Sequence, residues 1–92
     1  MLLSRVRTRA PSKVYPNPNK GQFNIKASSA KAVVLNIEIY NNLGAMLWKQ
    51  ENVVVDGNFA SPVSLGNVPA GIYMVVLRNK DMYLVRKVVV IK

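Results

Sequence analysis

The sequence predicts an all-β domain, a sandwich of about seven short antiparallel strands in two sheets. Apolar and polar residues alternate with a period of two through most of the chain. Turn-forming Asn, Asp, Gly and Pro residues recur at intervals of about 8–12 residues. No helical pattern of apolar residues continues for three turns. Half of the 92 residues are hydrophobic, which is enough for one core but leaves no room for a second domain.

The first strands follow a stretch that is rich in Pro, Asn and Gly. Residues 22–26 alternate, with Phe23 and Ile25 on one face, and residues 33–41 repeat the pattern over a longer span. Residues 26–32 (KASSAKA) lie between them, and their serines predict a loop. Residues 41–44 (NNLG) predict a turn into a third strand, on which Trp48 is expected to pack against the sheet.

The second half of the chain continues the pattern. Asp56 and Gly57 predict another turn, and Pro62 favours an edge position for the short strand that contains it. Residues 72–77 are apolar on both faces, which is typical of a central strand. Residues 79–81 predict a hairpin tip before the last strand. Because a Cys…Trp…Cys pattern is missing, the sandwich is predicted to be immunoglobulin-like in architecture only.

The composition argues against catalysis. The chain has no cysteine and no histidine, which removes Ser-His and Cys-His nucleophile pairs, thiolate metal sites and imidazole metal sites. Four acidic residues remain, scattered along the chain, and two of them lie at predicted turns: Glu38, Glu51, Asp56 and Asp81. We therefore predict a protein that is not an enzyme and that has no cofactor and no metal site.

The net charge of +9 is concentrated near the ends of the chain. Arg5, Arg7 and Arg9 precede the first predicted strand, and five of the other ten basic residues lie in the last fifteen positions. Such a distribution is compatible with nucleic acid, anionic lipid or polysaccharide, or an acidic protein as the partner. It is equally compatible with a solvated surface that keeps a β-domain soluble.

The ends of the chain carry no targeting segment that the sequence reveals. No apolar run approaches the roughly 20 residues that span a bilayer. The first residues, MLLSRVRTR, lack the apolar region of a signal peptide. We interpret residues 1–12 as a disordered linker or as the remnant of a longer protein, and residues 13–92 as the domain.

Four segments in this order carry a resemblance: YPNPNKGQFNI, IEIYNNLGAML, LGNVPAGIYMVVL and RKVVVIK. Together they resemble the type A C-terminal sorting domain of the type IX secretion system (Por secretion system) of Bacteroidetes, over residues 13–92. The resemblance implies an immunoglobulin-like sandwich that directs an N-terminally fused cargo through an outer-membrane translocon. It also implies that a surface sortase removes the domain and attaches the cargo to anionic lipopolysaccharide. The protein would then pass through the periplasm to the cell surface or the medium, without nucleic-acid binding or membrane insertion.

The residues that match the family's motifs are the candidate site residues. Pro16 and Pro18 fix the backbone, which we interpret as a stiff spacer that holds the cargo linker away from the sandwich. We expect Gly71 and Tyr73 to act through folding, as a turn and a core anchor. The basic residues at the C-terminus are expected to extend into solvent. The full set is Tyr15, Pro16, Asn17, Pro18, Gly21, Gly44, Gly71, Tyr73, Arg86, Lys87 and Lys92.

Two other functions stay open. A small basic nucleic-acid-binding β-domain needs aromatic and basic residues interleaved on one face, whereas Tyr73 and Tyr83 lie in dense apolar strands. A carbohydrate-binding or adhesive sandwich would show exposed aromatic residues or calcium-ligating acids, and no such cluster stands out. A gel shift with single-stranded DNA and a glycan pull-down distinguish these functions from sorting.

Overall fold

The structure, a computed structural model, describes residues 12–92 as five strands. All five pair antiparallel in one sheet, which confirms the all-β prediction. Residues 12–92 include no helix, hence none long and apolar enough to cross a membrane. Of the predicted linker, residues 1–11 lie outside the described residues and Ser12 begins the first strand. The strands are β1 (Ser12–Tyr15), β2 (Gln22–Tyr40), β3 (Met46–Ser64), β4 (Gly71–Arg78) and β5 (Tyr83–Val90).

The prediction of seven short strands is wrong because β2 and β3 form one long hairpin of 19-residue strands. The segment predicted as a loop, residues 26–32, belongs to β2. Asp56 and Gly57 do not turn the chain but lie within β3, where Gly57 pairs with Ser29 and has a φ of +78°. A register shift between Ser29 and Val33 absorbs this irregularity. Cross-strand pairing has therefore overridden the local preference of serine, aspartate and glycine for turns.

The sheet curls because the two halves of β2 have different neighbours. One edge of β2 pairs with β3, while the opposite edge pairs with β1 at residues 24–27 and with β4 at residues 36–40. Strand β4 also pairs with β5 over its full length, so the prediction of a central strand is confirmed. The two halves of the long hairpin thus belong to different parts of a curled sheet, which is how the fold approaches a sandwich.

The core lies inside this curl and follows the predicted alternation. The inner positions of β2, β4 and β5 are the most completely buried, and Trp48 is half-buried against them as predicted. The predicted turn at residues 41–44 and the hairpin tip at residues 79–81 are both confirmed. The fully buried side chains are Ile25, Ile37, Ile39, Val55, Val75, Leu77, Val88 and Val90.

Candidate functional site

The Pro/Asn-rich segment lies along the outer edge of β5, the last strand. The Asn19 amide donates a hydrogen bond to the Val89 carbonyl (2.9 Å), and the Ile91 amide donates to the Asn19 carbonyl (2.7 Å). Asn19 and Val90 form a parallel bridge. The chain therefore pairs with β2 through β1 and then, only four residues after β1, with β5. We call this contact between residues 17–19 and residues 87–91 the terminal seam.

The side chain of Asn17 extends the terminal seam by one further residue. Its Nδ2 donates to the Lys87 carbonyl (2.9 Å), and its Oδ1 accepts from the Val89 amide (2.8 Å). The amide group thus offers β5 the donor and the acceptor that a neighbouring strand would offer. The flanking Pro16 and Pro18 have no backbone N–H, so the asparagine side chain supplies the donor at this point.

Asn19 and Gly21 fix the turn that leads from the terminal seam into β2. Asn19 is 5% exposed; its Oδ1 accepts from the Gly21 amide (2.8 Å) and its Nδ2 donates to the Pro16 carbonyl (2.9 Å). Gly21 has a φ of +106°, and a Cβ there would lie 3.1 Å from the Gly66 carbonyl oxygen. Both the backbone conformation and the space therefore require glycine at position 21.

This geometry corrects the interpretation of residues 16 and 18 as a spacer. Pro16 and Pro18, which both follow cis peptide bonds, do not hold the chain away from the domain. They lie on either side of Asn17 in the terminal seam. The reason is that the side chain of Asn17 and the backbone of Asn19 satisfy the edge of β5.

Gly71 and Tyr73 lie at the start of β4. Tyr73 is buried, and its hydroxyl donates to the carbonyl of Pro69, four residues upstream. A tyrosine that bonds back to the backbone in this way is the tyrosine corner of immunoglobulin-type sandwiches. Gly71 is exposed, and a Cβ at this position would meet nothing within 4 Å. Its φ of +158° is what favours glycine there.

The three C-terminal basic residues have different environments. Lys87 and Lys92 are exposed, as expected. The expectation is wrong for Arg86, which is half-buried on the inner face of β5, opposite the buried Val75. Its Nε donates a long hydrogen bond to the Ser12 carbonyl (3.4 Å), because the curl brings β1 close to β5. Arg86 therefore connects β5 to β1 rather than extending into solvent.

The remaining candidates divide between the terminal seam and other places. Tyr15 is the last residue of β1 and leads into the terminal seam. Gly44 lies in the exposed turn between β2 and β3, with a φ of +87° and no neighbour within 4 Å of a Cβ. The structure thus brings the first and last predicted motifs together and leaves the Gly44 motif apart from them.

Sequence reasoning missed an ion pair in the middle of the sheet. Glu38 is 3% exposed and accepts hydrogen bonds from Arg78 at both oxygens (3.0 and 2.8 Å) and from the Tyr40 hydroxyl (2.8 Å). These bonds, from Arg78 first and Tyr40 second, lower the pKa of Glu38; the same carboxylate raises the pKa of Tyr40. The available signal was Glu38 followed two residues later by Tyr40, on one face of a strand.

This ion pair does not resemble a catalytic or metal site. The carboxylate is fully engaged by Arg78 and Tyr40. Residues 12–92 hold no group of three or more acidic, histidine or cysteine residues that could bind a metal ion. The role of the Glu38–Arg78 ion pair is to compensate the buried charge of Glu38 within the sheet.

In the part of the chain that the structure describes, an all-β domain thus has its Pro/Asn-rich N-terminal motif bound to its own last strand. The family model for the secretion system C-terminal sorting domain matches residues 13–92, so the chain belongs to that family, the sorting domains of type IX secretion. Domains of this family are non-catalytic signals, and they direct the protein that carries them to the cell surface or the extracellular space. No curated protein shows significant similarity to the chain.

Proposed function

We propose that residues 13–92 direct an N-terminally attached cargo through the outer-membrane translocon of the type IX system. A surface sortase then removes the domain and attaches the cargo to the cell surface. Residues 1–11 serve as the linker to the cargo, whose passage begins in the periplasm. Family membership supports this function, and the observation that carries it is the terminal seam, which joins two sorting motifs of the family into one surface.

The terminal seam suggests how one short domain can report on its own folding. The edge of β5 has the bonding pattern described above only when residues 17–19 lie against it. A translocon that binds this surface would therefore accept folded domains and reject unfolded ones. Gly71 and Tyr73 act in the same way through the fold, since they set the start of the strand beside β5.

The basic residues that a partner can reach at this surface are Lys87 and Lys92, because Arg86 is engaged inside the curl. An acidic surface on the translocon is the complementary partner, and charge pairing of exposed groups mainly increases the rate and the selectivity of association. We assign recognition to Lys87 and Lys92, and a structural role to Arg86.

A reporter fusion tests the proposed function. Residues 13–92 are placed behind a signal peptide and a reporter protein in a bacterium that has the type IX system. The reporter should reach the cell surface or the medium. If it stays in the periplasm while an established sorting domain exports the same reporter, the proposed function is wrong.

The same fusion tests the assignment of the lysines. The double variant Lys87→Gln, Lys92→Gln should reduce export while changing the free energy of unfolding by less than about 1 kcal/mol, as is usual for exposed positions. The matched control, Lys31→Gln with Lys80→Gln, removes the same charge from two exposed positions outside the terminal seam and should leave export unchanged. Equal export by both variants would leave the folded shape of the terminal seam as the signal.

A further inference from the structure

The turn between β2 and β3 carries the most exposed large hydrophobic side chain of the described residues. Leu43 lies in this turn and is 87% exposed. It belongs neither to the core nor to the apolar residues that pack against the core. A single exposed leucine is ordinary on a protein surface. This leucine, however, lies in the NNLG motif, which neither the core nor the terminal seam explains.

Hydrogen bonds to Asn41 hold this turn in one conformation. The Asn41 amide donates to the Ala45 carbonyl (2.9 Å), and the Asn41 carbonyl accepts from the Gly44 amide (3.1 Å). The side-chain Oδ1 of Asn41 accepts from the amides of Leu43 and Ala45, both at 2.9 Å. Gly44 has a φ of +87°, which favours glycine. The turn is therefore organised before a partner binds, and an organised segment loses less conformational entropy on binding.

The turn lies next to a mainly apolar strip on the outer face of the sheet. The antiparallel registers place one row of side chains across β3, β2, β4 and β5, and a second row across β4 and β5. We call these two rows the outer strip. The first row is Met46, Tyr40, Met74 and Lys87, and the second row is Ile72 and Val89. The strip therefore extends from the turn that holds Leu43 to β5, the strand of the terminal seam.

The charge of the outer strip indicates the chemistry of its partner. Lys87 is the charged residue of the two rows, and it is exposed. A second copy of this chain brings 13 basic residues and only 4 acidic ones, so its charge repels Lys87. Residues 41–45 include no basic residue, whereas segments that bind anionic membranes are rich in them. A protein surface with an apolar pocket and a carboxylate fits Leu43 and Lys87 together.

We propose that Leu43 and the outer strip dock on a protein of the sorting machinery, with the Leu43 side chain in an apolar pocket and Lys87 beside a carboxylate. This inference rests on the proposed function, because the partner belongs to the machinery that exports the cargo. The leucine adds what the lysines do not supply. Exposed charges mainly increase the rate of association, whereas a buried apolar anchor slows dissociation. Gly44 then acts by fixing the turn that carries the anchor.

The test measures the rate of reporter export in a bacterium that has the type IX system. The reporter carries a signal peptide and is fused to the full chain, residues 1–92. Leu43→Ser should lower the export rate about tenfold, as expected for loss of an interface anchor. The melting temperature of the purified chain should not change, because the side chain is 87% exposed. Leu43→Met, which keeps an apolar side chain, should retain export.

The matched control is Val54→Ser. Val54 is 59% exposed and lies opposite Val34, outside the two rows of the outer strip. This variant removes a similar exposed apolar side chain and should leave export unchanged. Equal export by the Leu43→Ser fusion and the unchanged fusion would overturn the inference and leave the proposed function intact. Lack of export of the unchanged fusion would overturn the proposed function, and this inference with it.

Competition separates binding from folding. The full chain with a signal peptide but without a reporter is produced in excess in the same cells. The unchanged chain should slow export of the reporter fusion, because both bind the same partner, and the Leu43→Ser chain should compete much less. Equal competition by the two chains, or a fall in export that follows the melting temperature of the variants, would overturn the inference.

Two measurements on the purified chain test the other occupants of the outer strip. Flotation with vesicles of phosphatidylethanolamine and phosphatidylglycerol detects membrane binding, and sedimentation velocity detects a second copy. We expect a monomer that does not float with the vesicles. Vesicle binding that Leu43→Ser abolishes would assign the strip to lipid, and a dimer that Leu43→Ser dissociates would assign it to self-association. Either result would overturn the inference.

Discussion

The outer edges of β5 and β3 differ in how their backbone groups are satisfied. On β5, the groups from the Lys87 carbonyl to the Ile91 amide are bonded to Asn17 and Asn19. On β3, the edge that faces away from β2 pairs with no other strand in residues 12–92. The first edge is closed by hydrogen bonds, whereas the second is open along a 19-residue strand.

The open edge has the protective features that natural sheets use against unwanted pairing. The charged residues Lys49, Glu51 and Asp56 lie along β3. Pro62 has no backbone N–H and so removes one hydrogen-bond donor, as predicted for an edge strand. The residues of β3 itself protect its open edge against unwanted pairing, whereas the terminal seam protects the edge of β5. Asn17 and Asn19 therefore satisfy the edge of β5, the strand nearest the C-terminus, and not the edge of β3.

Deletion of residues 88–92 should have the largest effect on this contrast. It removes Val88 and Val90, which are 0% and 1% exposed, together with the Val89 amide that bonds Asn17 and both backbone partners of Asn19 on β5. Each buried valine contributes about 1.5–3 kcal/mol. Since small domains have only about 5–15 kcal/mol in total, the truncated chain should be unfolded at 25 °C or close to it. Circular dichroism during heating would show this, and a retained cooperative transition would contradict it.

Asn19→Ala should have the next largest effect. The substitution leaves the buried Gly21 amide without an acceptor and frees the Pro16 carbonyl. An unsatisfied buried donor costs about 1–3 kcal/mol, and we expect a loss near the upper end because the turn into β2 also loosens. Urea unfolding measures the change. A loss below about 0.5 kcal/mol would mean that water replaces the side chain there.

Asn17→Ala should cost less, about 1 kcal/mol, because its two partners on β5 are exposed and can bind water instead. The matched control on the other edge is Asn58→Ala on β3, whose side chain is exposed; this change should stay within about 0.5 kcal/mol. Hydrogen exchange sharpens the comparison, since only Asn17→Ala should speed exchange of the Val89 amide. Equal exchange in both variants would remove the distinction between the edges.

Lowering the pH should reduce the stability that the Glu38–Arg78 ion pair contributes, and this pair lies in the middle of the sheet rather than at an edge. The pKa of Glu38 is lower in the folded state than its usual value of 4.5, because Arg78 and Tyr40 bond the carboxylate. Its contribution to stability is therefore complete above about pH 4.5 and is lost as the pH falls through the folded-state pKa. Unfolding free energies from pH 6 downward should show this decline, and Glu38→Gln should flatten it. The seam variants should keep the decline.

The alternation of apolar residues was sufficient to predict the all-β class, the central strand and the inner face of the core. The interruptions were harder, because KASSAKA and Asp56-Gly57 are turn sequences in isolation. Both segments adopt a strand conformation because they pair with each other: Ser28 is opposite Asn58, and Ser29 is opposite Gly57. Such pairing joins residues nearly 30 positions apart, and local patterns do not encode it.

The candidate site was predictable as a set of residues but not as an arrangement. Family resemblance selected Asn17 and Lys87 as candidate residues. Nothing in the sequence indicated that these two residues, which are 70 positions apart, are joined by a hydrogen bond. The positions of Arg86 and Glu38 were missed for a similar reason. From the sequence alone, a charged residue is expected to be exposed to solvent unless its partner on another strand is known. The partner of Arg86 is the Ser12 carbonyl, and the partner of Glu38 is Arg78.

The direction of the terminal seam has a mechanical consequence. Residues 17–19 and β5 run the same way, so a force that pulls the cargo linker and the C-terminus apart slides the two segments along each other. The bonds at Asn17 and Asn19 are then loaded in shear and must fail together, not open one after another like a zipper. Because resistance to stretching depends on the unfolding rate, a domain held at its two ends would withstand tension through its parallel contact.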